Sequence, residues 1–188
     1  MILAMSAKAF IAQFLKKGNK VGAVAPSSRF LAAKMLKQIP FERCETIVEF
    51  GPGTGAFTGY IQEKMKPNAR LIIIELNEIF CRDLTQKFTR PNTEIIQGSA
   101  TDLSNILSER GIQNADCIIS SLPLAIFDET LRENILTAAH QCLSTGGHFV
   151  QFQYSLQSKK AVQRHFKHVK LTFTPLNIPP AFVYSCKK

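Results

Sequence analysis

The residues of this chain with the clearest chemistry are the glycines of Gly51-Pro-Gly-Thr-Gly55 and the acid Glu75. Three glycines in five positions let backbone come close to a ligand and take turns that other residues resist. The apolar run 46–50, carrying Glu49, leads into this loop; about twenty residues beyond it, the run 71–76 ends on Glu75 and Leu76. Strand, glycine turn, helix and acid-tipped strand make up a nucleotide-binding βαβ unit. The Glu75 carboxylate has acceptor positions enough for both hydroxyls of a ribose. Because the loop reads GPGTG and not GxGxxG, nothing in it demands a pyrophosphate on the following helix. S-adenosylmethionine fits this pattern better than a nicotinamide dinucleotide.

Around that unit the apolar segments alternate as in an open α/β sheet. Strands are predicted at 46–50, 71–76, 93–97, 116–120, 148–154, 170–176 and 181–186. Helices are predicted at 55–66, 78–88, 103–109, 127–143 and 156–166. The Pro179-Pro180 turn makes the last two strands an antiparallel hairpin. Ser27-Ser28 reads as the N-cap of a helix over 29–37. Residues 1–40 form a separate extension before the domain over 41–188. In it, Leu3, Phe10, Ile11, Phe14 and Leu15 fall near one helix face, with Lys8, Lys16 and Lys17 elsewhere and Gly18 as the stop.

The chain has 188 residues, 45% of them hydrophobic, enough for one sizeable core. No apolar run approaches the eighteen or so residues that cross a bilayer, and residues 1–5 lack the basic start of a secretory signal. A cytoplasmic protein is expected. Five scattered cysteines without a CxxC read as reduced, buried thiols, and no metal site is expected. Lys and Arg number 23 against 14 Asp and Glu, a net +9 that favours a polyanionic partner, either nucleic acid or an anionic membrane face.

The chain resembles the soluble bacterial phospholipid N-methyltransferases, themselves similar to ribosomal RNA adenine dimethylases. The resemblance rests on GAVAPSSRFLA (22–32), VEFGPGTGAFT, IIIELN, IIQGSATDL, CIISSLPL, GGHFVQFQYS and LNIPPAFVYSC. It implies a Rossmann-like class I methyltransferase, with a seven-stranded, mostly parallel sheet, an antiparallel last strand and an N-terminal helical extension. It implies that Gly51, Gly53 and Gly55, with Pro52 among them, pass under the methionine part of S-adenosylmethionine. Glu49 then stands near the cofactor ammonium, Glu75 and Leu76 at the ribose, and Ser99 and Ala100 at the adenine. Pro26–Phe30 would lie over the cofactor's entry side.

Ser120-Ser-Leu-Pro-Leu124 ends the fourth strand, where the methyl group is presented. Adenine N6-methyltransferases have Asn or Asp and an aromatic ring where this chain has Ser121 and Leu124, so the clamp and stacking platform for a flipped base are missing. A neutral amine on a lipid head group needs alignment and desolvation more than a strong base. Ser120, Ser121 and Tyr154 are the polar groups expected around it, with Arg29 and His165 as candidates for a lipid phosphate. The expected activity is methylation of the amine of phosphatidylethanolamine or a related phospholipid. Residues 1–17 are expected to dock on the anionic inner face of the membrane. Ribosomal RNA adenine N6-methylation is the alternative, with the basic stretch Lys159, Lys160, Arg164, Lys167 and Lys170 as its phosphate contacts.

Overall fold

The computed structural model describes residues 29–177 and 179–188. The expected N-terminal helix over 1–17 and the expected cap at Ser27-Ser28 lie outside the described residues, as do Pro26 and Ile178. The described residues begin with α1 (Arg29–Leu36), which buries Leu31, Ala32, Met35 and Leu36. Then come β1 (Thr46–Phe50), α2 (Thr58–Lys64), β2 (Arg70–Glu75), α3 (Glu78–Lys87), β3 (Thr93–Gln97), α4 (Leu103–Ser108) and β4 (Ala115–Ser120). The chain ends with α5 (Glu129–Cys142), β5 (Leu143–Gln153), α6 (Lys159–His165), β6 (His168–Thr174) and β7 (Ala181–Lys187).

The seven strands form one sheet in the order β3-β2-β1-β4-β5-β7-β6. β7 pairs antiparallel with both β5 and β6, and the other pairings are parallel. This is the expected class I arrangement. Every residue of β1 is buried, as a strand covered by helices on both faces requires. One face carries Val48, Phe50, Ile118 and Phe149 under α4, α5 and α6; the other carries Ile47, Ile73, Ile119 and Val150 under α1, α2 and α3. All five cysteines are free and buried.

Several boundaries differ from expectation: α5 and α6 start two and three residues late, β5 ends before Tyr154, and three further shifts have plain physical reasons. The second helix starts at Thr58 and not at Gly55, because Gly55 has φ +79° and extends the loop. β5 starts at Leu143, five residues early, through an irregularity opposite β4. Gly147 permits it: a Cβ there would stand 2.8 Å from the Ser144 carbonyl oxygen and 3.1 Å from that of Asp116. β6 lies two residues earlier than expected, since Pro175 has no N–H for the ladder.

Candidate active site

Strand order reverses between β1 and β4, and the crevice of an open α/β sheet opens at the carboxyl ends of such strands. A pocket lies there. Its walls include Gly51, Gly53, Glu75 and Leu76 from the first βαβ unit, Ser99 and Ala100 after β3, and Ser121 after β4. Leu122, Phe127, Leu131 and Ile135 close the far side. Its volume is about 140 Å³, below the roughly 300–1,000 Å³ of sites that enclose a whole ligand. The remainder of a nucleoside-sized ligand falls to the open glycine loop, where a Cβ on Gly53 would meet nothing within 4 Å.

Glu75 is only 4% exposed and is held by backbone donors. Its Oε2 accepts from Gly53 N at 3.1 Å, and its Oε1 from Asn77 N at 2.9 Å. Burial raises its pKa, and those hydrogen bonds oppose the rise. Two of about four lone-pair positions are used, so acceptor capacity for a diol remains. Asn77 in turn caps α3, accepting from Ile79 N and Phe80 N.

Glu49 lies fully buried beneath the loop and outside the pocket wall. Its Oε2 accepts from Thr58 Oγ1 at 2.7 Å, whereas Oε1 has no partner. Burial pushes its pKa up to about 8, with Glu75 adding to the rise and Thr58 opposing it. An orphaned carboxylate oxygen at this depth fits a cationic group of the cofactor.

The three loop glycines are needed for different reasons. Gly51 and Gly53 line the pocket; Gly55 does not. A Cβ on Gly55 would stand 2.5 Å from Cε2 of the Phe88 ring, so this glycine lets α3 pack against the loop. Pro52 also lies outside the wall, its carbonyl accepting from Gly55 N at 3.0 Å. Ser99 lines the pocket, but its Oγ accepts from Thr101 N and contacts Thr101 Oγ1 at 2.8 Å, so it serves first as a cap.

The side of the pocket expected to take the acceptor is built from the loop after β4. Ser120 is fully buried and absent from the pocket wall; its Oγ accepts from Leu122 N at 3.3 Å. Ser121 N donates to the Phe50 carbonyl at 2.9 Å, which ties the loop to β1; Ser121 lines the pocket, and its buried Oγ has no partner. Leu124 is fully buried in the core and presents nothing to a ligand. Tyr154 lies outside the pocket wall, 43% exposed, with its ring edge-on to Phe152 and its hydroxyl bonded to Asn177. His165 is engaged by Glu133 at 2.8 Å, and the exposed Arg29 stacks over Phe30.

Gln151 and Gln153 are functional residues absent from the sequence-based set. Both amides donate to the Leu122 carbonyl, at 2.9 and 2.8 Å, and Gln153 Oε1 accepts from Ala125 N at 3.1 Å. They pin the acceptor loop from the end of β5. Their signal was present in the sequence: polar residues two apart, on a central strand whose faces are both buried, require internal partners.

The methyltransferase domain family matches residues 47–147. The chain is 34% identical to an ornithine lipid N-methyltransferase of Singulisphaera acidiphila over 180 residues, which covers 95% of this chain and 94% of that protein. It is 32% identical to the ribosomal RNA small subunit methyltransferase A of Mycoplasma capricolum, over 54% of this chain and only 37% of that protein. Among solved structures, the 1,6-didemethyltoxoflavin-N1-methyltransferase of Burkholderia thailandensis, which holds S-adenosylhomocysteine, superposes with a TM-score of 0.67 at 15% identity. That superposition covers 95% of this chain and 85% of the other. The chain belongs to the methyltransferase domain family, as a class I S-adenosylmethionine-dependent N-methyltransferase.

Proposed function

We propose that this enzyme methylates a primary alkyl amine on a lipid head group, of the ornithine or ethanolamine kind, at a membrane surface. The observation that carries this reading is the acceptor wall. Ser121, whose buried Oγ has no partner, lines the pocket together with Leu122, Phe127, Leu131 and Ile135, and the position that would stack a base, Leu124, is buried. A wall of this kind suits a small amine on an apolar carrier. The ornithine lipid N-methyltransferase, similar over nearly the full length of both chains, supports the same class of acceptor.

Bound S-adenosylmethionine supplies a sulfonium methyl group already activated for displacement. The chain's residues have three tasks. Glu75 and the Gly53 cradle hold the nucleoside end, and the Glu49 carboxylate balances positive charge beneath the loop. Ser121 Oγ accepts an N–H from the amine and turns its lone pair toward the methyl group. The apolar wall disfavours the ammonium form and leaves the nitrogen neutral for attack. Residues 1–17, with Lys8, Lys16 and Lys17, are proposed to tether the domain to anionic lipid, each basic residue adding about 1 kcal/mol near the surface.

Incubation with methyl-labelled cofactor tests this reading, offering vesicles of phosphatidylethanolamine, vesicles of ornithine lipid, and ribosomal RNA. Label is expected in a lipid fraction. Label in RNA adenines alone reverses the assignment.

A further inference from the structure

We infer that the carboxyl rim of the sheet, the end at which the pocket opens, is the surface that seats this enzyme on the bilayer through a ring of exposed apolar side chains along it. All seven large apolar side chains exposed among the described residues lie at this one end of the molecule. Ile79, 57% exposed, opens α3 directly after β2. Ile126 follows β4, and Tyr154 and Leu156 follow β5. Phe173 and Leu176, the latter 63% exposed, stand at the end of β6 and in the turn to β7. Phe30 belongs here too, because α1 runs so that Gln38, just beyond its end, meets the amino end of β5. The first turn of α1 therefore points to the rim.

Single exposed apolar residues are ordinary, but a set confined to the one end that also holds a site marks an interaction surface. The chemistry of the rim favours lipid over a second protein. The exposed cations Arg29, Lys159 and Lys160 flank Phe30 and Leu156, as suits anionic head groups. The carboxylates there, Glu78, Asp102, Asp128 and Glu129, sit at helix starts, with Asp128 capping α5 and Glu129 paired to Arg164. Tyr154 has the amphipathic character favoured at membrane interfaces.

The obvious rival surface is basic. His148, Lys187 and His168 stand directly opposite one another across β5, β7 and β6, beside Lys167 and Lys170, and line a shallow cavity of about 510 Å³. None of the five is in an ion pair among the described residues, whereas Arg110, Arg164 and His165 are. Yet this row lies at the opposite end of β5 from Gln153, about 17 Å away at strand rise. That is about twice the Debye length of roughly 8 Å at physiological salt. A bilayer held there would leave the acceptor pocket facing water.

The inference rests on the lipid reading for its occupant, and flotation separates the two. Leu176→Asp and Leu156→Asp are each expected to weaken binding to vesicles of mixed anionic and ethanolamine lipid by about tenfold or more. Cofactor affinity and methylation of detergent-dispersed lipid should remain at the level of the unaltered protein. Lys187→Glu should float as the unaltered protein does. Rim variants that float normally, or loss of flotation on Lys187→Glu, overturn the proposal even if lipid is methylated. Sedimentation in which the rim variants dissociate a dimer overturns it as well, by assigning the ring to a second copy. If the rim mediates flotation but no lipid is labelled, the docking surface stands and the acceptor assignment fails.

Discussion

The cofactor half and the acceptor half of the pocket are organised by different means. On the cofactor side, Glu75, Asn77 and Gly53 satisfy one another across 22 residues or fewer, through backbone N–H groups at a strand end and a helix start. On the acceptor side, the loop 120–126 is positioned by glutamines 28 to 31 residues away on a neighbouring strand, and the buried hydroxyl of its pocket-lining Ser121 has no partner. The first half is a rigid local device indifferent to what receives the methyl group. The second is a tertiary device, at the place where the proposed acceptor would be chosen. Substitutions in the two halves should therefore separate cofactor affinity from turnover.

The largest separation is expected from Glu75→Ala. Two hydrogen bonds from a ribose to a carboxylate, at roughly 1.5–3 kcal/mol each, would be lost, on the order of a hundredfold or more in affinity. Calorimetric titration with S-adenosylmethionine measures it directly; unchanged affinity would remove Glu75 from the site. Gly55→Ala should act next most strongly, and on stability more than affinity. The new Cβ meets the Phe88 ring at 2.5 Å and the backbone holds φ +79°, so overpacking and left-handed strain together cost about 2–4 kcal/mol. Thermal unfolding should register this as a lowered midpoint. The corresponding change at Gly53, where no atom stands near, should carry the backbone strain alone.

These contrasts also explain what the sequence made legible. The strands at Thr46–Phe50 and Thr93–Gln97 have the expected limits because turn residues bound them. Glu75 was legible because a strand followed by a glycine turn and a second strand puts its last acid beside that turn. Gly55 was legible as a glycine but not in its role, since only the packed α3 reveals the Phe88 ring over it. Ser120 and Ser121 read alike in sequence. The β1–β4 register, which pairs Ser120 with Phe50, turns one into the core and the other into the pocket. Gln151 and Gln153 went unassigned because their partners belong to a loop whose approach depends on the β4–β5 pairing.

A smaller effect should come from Gln153→Met, which tests the acceptor half. It removes a donor to the Leu122 carbonyl and leaves Ala125 N–H without its acceptor, a loss of about 1–3 kcal/mol. The expected outcome is a fall in kcat on lipid with cofactor affinity unchanged. Ser121→Ala should also lower kcat/KM, by roughly tenfold or less for one neutral hydrogen bond, without touching stability. If either change weakens S-adenosylmethionine binding as strongly as Glu75→Ala, the two halves are not separable.

The smallest effect of all is expected from Glu49→Gln at acid pH, where the carboxyl is protonated in folded and unfolded chain alike. Its pKa rises from 4.5 in the unfolded chain to about 8 in the fold. Between those values the folded state binds a proton that the unfolded state has released, so stability contributed by this group declines as pH rises and is lost by about pH 8. Glutamine cannot ionise and should flatten that decline, leaving the variant close to the parent below pH 5 and more stable than it near pH 9. Cofactor binding makes the opposite demand. A cationic ligand favours the ionised carboxylate, so S-adenosylmethionine should release a proton from Glu49 on binding. Titrations at pH 7 in buffers of different ionisation enthalpy should detect this release in the parent and not in Glu49→Gln. Equal proton release by both proteins would place the cofactor's positive charge away from Glu49, and the glycine loop would then act through its backbone and Glu75 alone.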